Sequence, residues 1–165
     1  MQPQTALPRP ADETKAERYA RLAGEIASVL EGEADEMARM ATVSAMLAAE
    51  FPHFFWTGFY RLDPARGGLV VGPYQGTLGC LRIAIGQGVC GAAAQSGETV
   101  IVPDVEAFPG HIACDTRSRS EIVVPVLGAG GALIAVLDVD CQAPDAFDGV
   151  DAAGLERIVR RTFAA

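Results

Sequence analysis

Apolar and small residues recur at three- and four-residue intervals through Tyr19, Leu22, Ala23, Ile26 and Val29/Leu30, and after Gly32 through Met37, Met40, Ala41, Ser44 and Leu47. Those intervals predict two amphipathic helices ahead of any strand. The pattern then changes: "FFWTGFYRLD" and "GLVVGPYQG" are short runs rich in aromatic and β-branched residues, and the "PARG" between them predicts a hairpin. "LRIAIG" predicts a third strand, "GVCGAAAQSG" a short helix with a glycine stop, and "TVIVPDV" a fourth strand. Beyond an aperiodic stretch from 104 to 118, "SEIVVPV" and "GALIAVLDVD" predict two more strands. "FDGVDAAGLERIVRRTF" closes the chain as an Asp-capped helix with Leu155, Ile158 and Val159 on one face.

This order of elements predicts an α+β protein with a central antiparallel sheet and helices packed mainly on one face. The first ten residues contain three prolines and no apolar period, so residues 1–12 are expected to form a flexible tail and 13–165 a single domain. The stretch 104–118 is the anomaly, because unstructured connections of about 15 residues inside a compact domain are usually lids or binding loops.

The last two strands permit a geometric test. If Gly128 to Gly131 form the hairpin loop, Leu127 pairs with Ala132, Glu121 falls opposite Asp138, and Arg119 falls opposite Asp140. The two-residue period puts Asp138 and Asp140 on that same face, so three carboxylates are expected to converge with one arginine. Like charges opposite one another destabilise a sheet, so stability alone gives no reason for the cluster. A solvated sheet face, or a register one residue away, is the alternative. In a buried cluster, repulsion and desolvation raise at least one carboxyl pKa. A protonated carboxyl then donates to an oxygen acceptor while its ionised neighbours hold an ammonium group, an arrangement suited to a small zwitterion.

Composition narrows the classes. The chain has 165 residues, half of them hydrophobic (50%), and a formal net charge of -8. That length and apolar content support one real core, and the acidic balance with no Lys/Arg stripe argues against nucleic acid as a partner. No window of about 18 apolar residues exists, and the N-terminal residues lack the apolar core of a secretory signal, so no membrane association and a cytoplasmic location are expected. In a reducing compartment Cys80, Cys90, Cys114 and Cys141 read as buried thiols, metal ligands or redox groups rather than permanent disulfides.

Cys114 lies on the long loop with His111 and Arg117 as local cations, and Cys90 lies near the start of the short helix; both settings lower a thiol pKa. The functional reading is a nucleophilic thiolate with resolving thiols, against small buried hydrophobes, the latter favoured for Cys141. A zinc set of Cys80, Cys90, His111 and Cys114 lacks any C-x-x-C knuckle, and His111 by itself reads first as a loop hydrogen-bonder. "GQGVCG" lacks the lysine of a phosphate loop and the spacing of a dinucleotide fingerprint, and neither a Ser-His-Asp set nor HExxH is present. Redox thiol chemistry is the class that survives.

"WTGFY", "GPYQG", "CLRIAIGQGVCG", "VPDVEAFPGHIACD", "SRSEIVVPV" and "LDVD" together resemble the free methionine-(R)-sulfoxide reductases, which are built on a GAF domain; the resemblance spans roughly residues 20–163. It implies a GAF-like sheet, Cys114 as catalytic cysteine and Cys80 and Cys90 as resolving cysteines. Glu121, Asp138 and Asp140 become the family's carboxylates, and Trp56 and Tyr60 the aromatic wall of the substrate pocket. Cys141 departs from the family, where serine or another small polar residue is expected. The implied activity is reduction of free L-methionine (R)-sulfoxide through a sulfenic acid and an intramolecular disulfide. A thioredoxin-like reductant would recycle it, with no metal or organic cofactor, and a homodimer through residues 13–50 is possible. A ligand-binding GAF sensor, which ordinarily accompanies an output domain, is the alternative reading.

Overall fold

The computed structural model describes residues 12–164, so the expected tail lies outside the described residues except for Asp12. Helix α1 (Lys15–Val29) starts where Thr14 and Glu17 form a reciprocal capping box, and α2 (Glu36–Glu50) starts where the Asp35 carboxylate accepts the Ala38 N–H. Each cap satisfies amide donors that a helix start leaves unpaired. Then come β1 (Trp56–Leu62), β2 (Leu69–Gln75), β3 (Arg82–Ile83), α3 (Gly88–Ser96), β4 (Val100–Val102), β5 (Ser120–Leu127), β6 (Leu133–Cys141) and α4 (Gly149–Phe163). The expected strand "TVIVPDV" is shorter than its apolar run. Pro103 has no N–H for the ladder, and the Asp104 side chain instead caps a single 3-10 turn at Val105–Ala107.

The six strands form one antiparallel sheet in the order β3-β2-β1-β6-β5-β4. Alternation along β5 and β6 divides the interior in two. Ile122, Val124, Val126, Ala135, Leu137, Val139 and Cys141 join the core beneath α1, α2 and α4. On the other face Val123 and Val136 pack with Trp56, Tyr60, Val89, Cys90 and Ala93 in a smaller cluster under α3. Helices therefore cover mainly one face, and the opposite face is closed by α3 and loops. No described helix is long and apolar enough to cross a membrane.

The helical layer is locked by one polar network. Asp151 is buried, accepts from the Tyr19 hydroxyl at 2.9 Å and from Lys15 Nζ at 2.8 Å, and completes the capping box with Asp148. Gly154 faces the same Tyr19 ring so closely that a Cβ would enter it, which fixes how near α1 and α4 approach. On β1, Gly58 lies against Tyr74, and any side chain there would displace it. That close approach lets Tyr74 stack on Trp56 at 5.0 Å between ring centres.

Candidate active site

The β5-β6 register differs from the expected one. The turn spans five residues, with Gly128 N–H donating to Ala132 O, and Leu127 pairs with Leu133; a register shift between Val126 and Leu127 adds one more residue. Glu121 therefore sits opposite Asp140, and Asp138 opposite Val123. The total displacement is two residues, one full period of a strand, so all three carboxylates still share a face. Arg119 does not join them. It precedes β5, its guanidinium lies 4.0 Å from Glu106, and its side chain is 44% exposed.

The carboxylates floor a pocket walled by Trp56, Tyr60, Val89 and Ile83 and roofed by the loops of Leu78-Gly79 and His111-Cys114, with about 520 Å³ of non-atom space including its mouth. Trp56 and Tyr60 stack at 5.5 Å, both almost fully buried. Glu121 and Asp138 are each 6% exposed, and burial, reinforced by the charge of Asp140, pushes both carboxyls well above their usual range. Asp140 is pushed up to about 6, also chiefly by burial, while the Ser118 hydroxyl donating to it and His111 nearby counteract part of the shift. The three titrate as a group. Burial thus favours the protonated form of Glu121 and Asp138 most strongly, with Asp140 beside them. Asp138 lines the pocket, and its Oδ1 is buried without a hydrogen-bond partner.

The cysteines occupy three different environments. Cys114, exposed on its loop, is bonded to Cys80 with Cα atoms 5.3 Å apart. Cys90 is a free thiol on the pocket floor, 4.0 Å from Glu121 Oε1. The helix start does not activate it: burial, then the charges of Asp138, Glu121 and Asp140, push its pKa well above the ordinary thiol value. Cys141 is free and buried among the helix-side core residues, on the sheet face opposite Asp140.

His111 Nε2 points inward, 3.6 Å from Glu121 Oε2, rather than bonding within its loop. Arg117, expected near Cys114 as a cation, is engaged by Asp115 at 2.8 Å. Cys90 Sγ and one oxygen each of Glu121 and Asp138 lie within 4.8 Å of one another, close enough for a shared metal, but metal ligation needs the deprotonated forms that burial disfavours here. Of the zinc set weighed from sequence, Cys80 and Cys114 are consumed in their mutual bond. Ser118 and Thr77 had no sequence signal: they sit in loops whose side-chain directions follow no period.

The GAF domain family matches residues 25–162. "GAF domain-containing protein A" of Dictyostelium discoideum is 46% identical over 89% of this chain and 91% of its own length. The "Free methionine-R-sulfoxide reductase" of Escherichia coli is 39% identical over 88% of this chain and 86% of its own. A solved structure of the free methionine-R-sulfoxide reductase of Neisseria meningitidis, in complex with its substrate, superposes with a TM-score of 0.89 at 41% identity, covering 96% of this chain and 93% of that one. With a GAF fold, a loop disulfide over a carboxylate-floored pocket and relatives of this identity over nearly its whole length, the chain belongs to the GAF-domain family of free methionine-(R)-sulfoxide reductases.

Proposed function

We propose that this chain reduces free L-methionine (R)-sulfoxide to L-methionine with its own thiols. The observation that carries the reading is a Cys80-Cys114 disulfide whose Cys114 lines a pocket floored by Glu121, Asp138 and Asp140. The Cys114 thiolate attacks the sulfoxide sulfur while a protonated carboxyl of the floor donates to the oxygen, methionine departs, and Cys114 is left as a sulfenic acid. Cys80 condenses with it to the disulfide. The free Asp138 Oδ1 and the Asp140 anion accept from the substrate ammonium, and the stacked Trp56 and Tyr60 rings pack its methyl and methylene groups.

Cys80, already partnered with Cys114, is the resolving cysteine, and Cys90 stays a neutral thiol in the floor. A thioredoxin-type dithiol, reaching the exposed Cys114 side, reopens the disulfide by exchange. A cytoplasmic location follows from that need for a reducing partner. A homodimer through residues 13–50 belongs to the same reading, and sedimentation velocity tests it.

The test is thiol counting on the reduced protein before and after free L-methionine (R)-sulfoxide without reductant, with the disulfide mapped by digestion and methionine measured in parallel. Loss of two thiols to a Cys80-Cys114 bond with matching methionine is the expected result. Unchanged thiols with bound sulfoxide would return the protein to ligand sensing. Enclosure of the ammonium predicts poor turnover of N-acetylated, C-amidated methionine sulfoxide.

A further inference from the structure

The two sulfurs of the disulfide sit outside the strands and helices, Cys80 in the loop between β2 and β3 and Cys114 in the loop between β4 and β5. The sheet ladder does not fix these loops against each other; side chains do. Asp115, adjacent to Cys114, accepts from the Thr77 hydroxyl at 2.8 Å across the loops. It also accepts from Arg117 three times, from the backbone N–H at 2.9 Å and from the guanidinium at 3.0 and 2.8 Å.

Both ends of this clamp are anchored. Thr77 O accepts from Trp56 Nε1 at 3.0 Å, and Trp56 belongs to the central part of the sheet. The Arg117 guanidinium lies 4.9 Å from the centre of the ring of Phe55, the residue just before the same strand. The Arg117 partner keeps the Asp115 carboxyl ionised, well below its usual range, so the acceptor is charged wherever the enzyme works. No sulfur takes part in any of these contacts.

In the proposed cycle the disulfide opens and closes once per turnover. After methionine leaves, closure depends on how often the Cys80 thiol meets the Cys114 sulfenic acid, which is set by the relative position of two irregular loops. We propose that Asp115 is a positioning residue for this second half-reaction: bridging Thr77 and Arg117, it holds Cys114 beside Cys80 so that the disulfide closes. The inference rests on the proposed function. In the step itself the Cys80 sulfur attacks the Cys114 sulfur, an S–S bond forms and the S–O bond of the sulfenic acid breaks. The hydroxyl leaves with the thiol proton as water, and the two-electron oxidation has already been supplied by the sulfoxide. Each Asp115 oxygen already accepts two hydrogen bonds, from Arg117 and Thr77, so neither is left to bond the sulfoxide.

The experiment is rapid quenching of reduced protein with stoichiometric free L-methionine (R)-sulfoxide and no reductant. Methionine release, dimedone trapping of sulfenic acid and mass-mapped disulfide are followed together. In Asp115→Ala, methionine release stays within about threefold of wild type while disulfide closure slows by roughly tenfold or more, and the dimedone adduct builds up on Cys114. Thr77→Val, which removes only the bond between the loops, shows the same split. Asp115→Asn, still able to accept from Thr77, recovers most of the closure rate. Closure at the wild-type rate in Asp115→Ala and Thr77→Val, or slowing of both steps by one common factor, overturns the inference. Wild-type protein that releases no methionine overturns the proposed function instead, so the two failures are told apart within one data set.

Discussion

Replacing Asp140 by asparagine should change how stability depends on pH. Burial raises the Asp140 carboxyl from an ordinary 3.8 to about 6 in the folded chain. A folded-state pKa above the unfolded value means that the native protein holds its proton longer, so stability is full below the unfolded pKa and is lost as pH rises through the folded one. Two pKa units correspond to about 3 kcal/mol, all of it lost between about pH 4 and pH 7. Asparagine cannot titrate, but it still offers Ser118 an amide oxygen to donate to. Removing the anion also relieves Glu121 and Asp138, whose pKa values it raises, so their contributions change in the same direction. The assay is urea unfolding of the oxidised wild type and of Asp140→Asn across that pH range, extrapolated linearly to water. The variant should gain on the wild type by about 3 kcal/mol from the acid end to the neutral end. Parallel stability curves, or a wild type that becomes more stable toward neutral pH relative to the variant, would refute the assignment of a buried, proton-holding floor.

Other changes follow from the same geometry. Cys114→Ser should form no methionine, whereas Cys80→Ser should release roughly one methionine per chain and stop without an intramolecular disulfide, as read by single-turnover chromatography. Cys90→Ala should form the Cys80-Cys114 bond within about threefold of the wild-type rate, since a buried neutral thiol contributes no nucleophile. Gly154→Ala should lower stability by about 1–3 kcal/mol in urea titrations, because its Cβ would enter the Tyr19 ring. Asp151→Ala, which strips the buried Tyr19 hydroxyl of its acceptor and leaves Lys15 with Asp148 alone, should cost about 1–3 kcal/mol by the same titration.

Sequence periodicity by itself determined the elements and the faces they present. The expected helices correspond to α1, α2, the short α3 with its Gly97 stop, and α4, and Tyr19, Leu22, Ile26, Met40, Leu47, Leu155, Ile158 and Val159 lie in the helix-side core. Val29, written beside Leu30 as part of the first apolar face, is instead exposed at 62%, and it is Leu30 that packs inward. The carboxylate cluster was legible for the same reason: Glu121, Asp138 and Asp140 share a face by parity, and a two-residue change of register leaves parity untouched. Arg119 was misplaced because it precedes β5, where strand alternation no longer sets the direction of its side chain, which turns toward Glu106. What only the tertiary structure decided were the pairings between loops. Cys80 rather than Cys90 meets Cys114, Arg117 turns to Asp115 rather than standing free, Thr77 reaches across to the same carboxylate, and Ser118 donates to Asp140. Each joins segments far apart in the chain through side chains with no repeating period, so their directions depend on where the packed sheet and its loops finally bring them together.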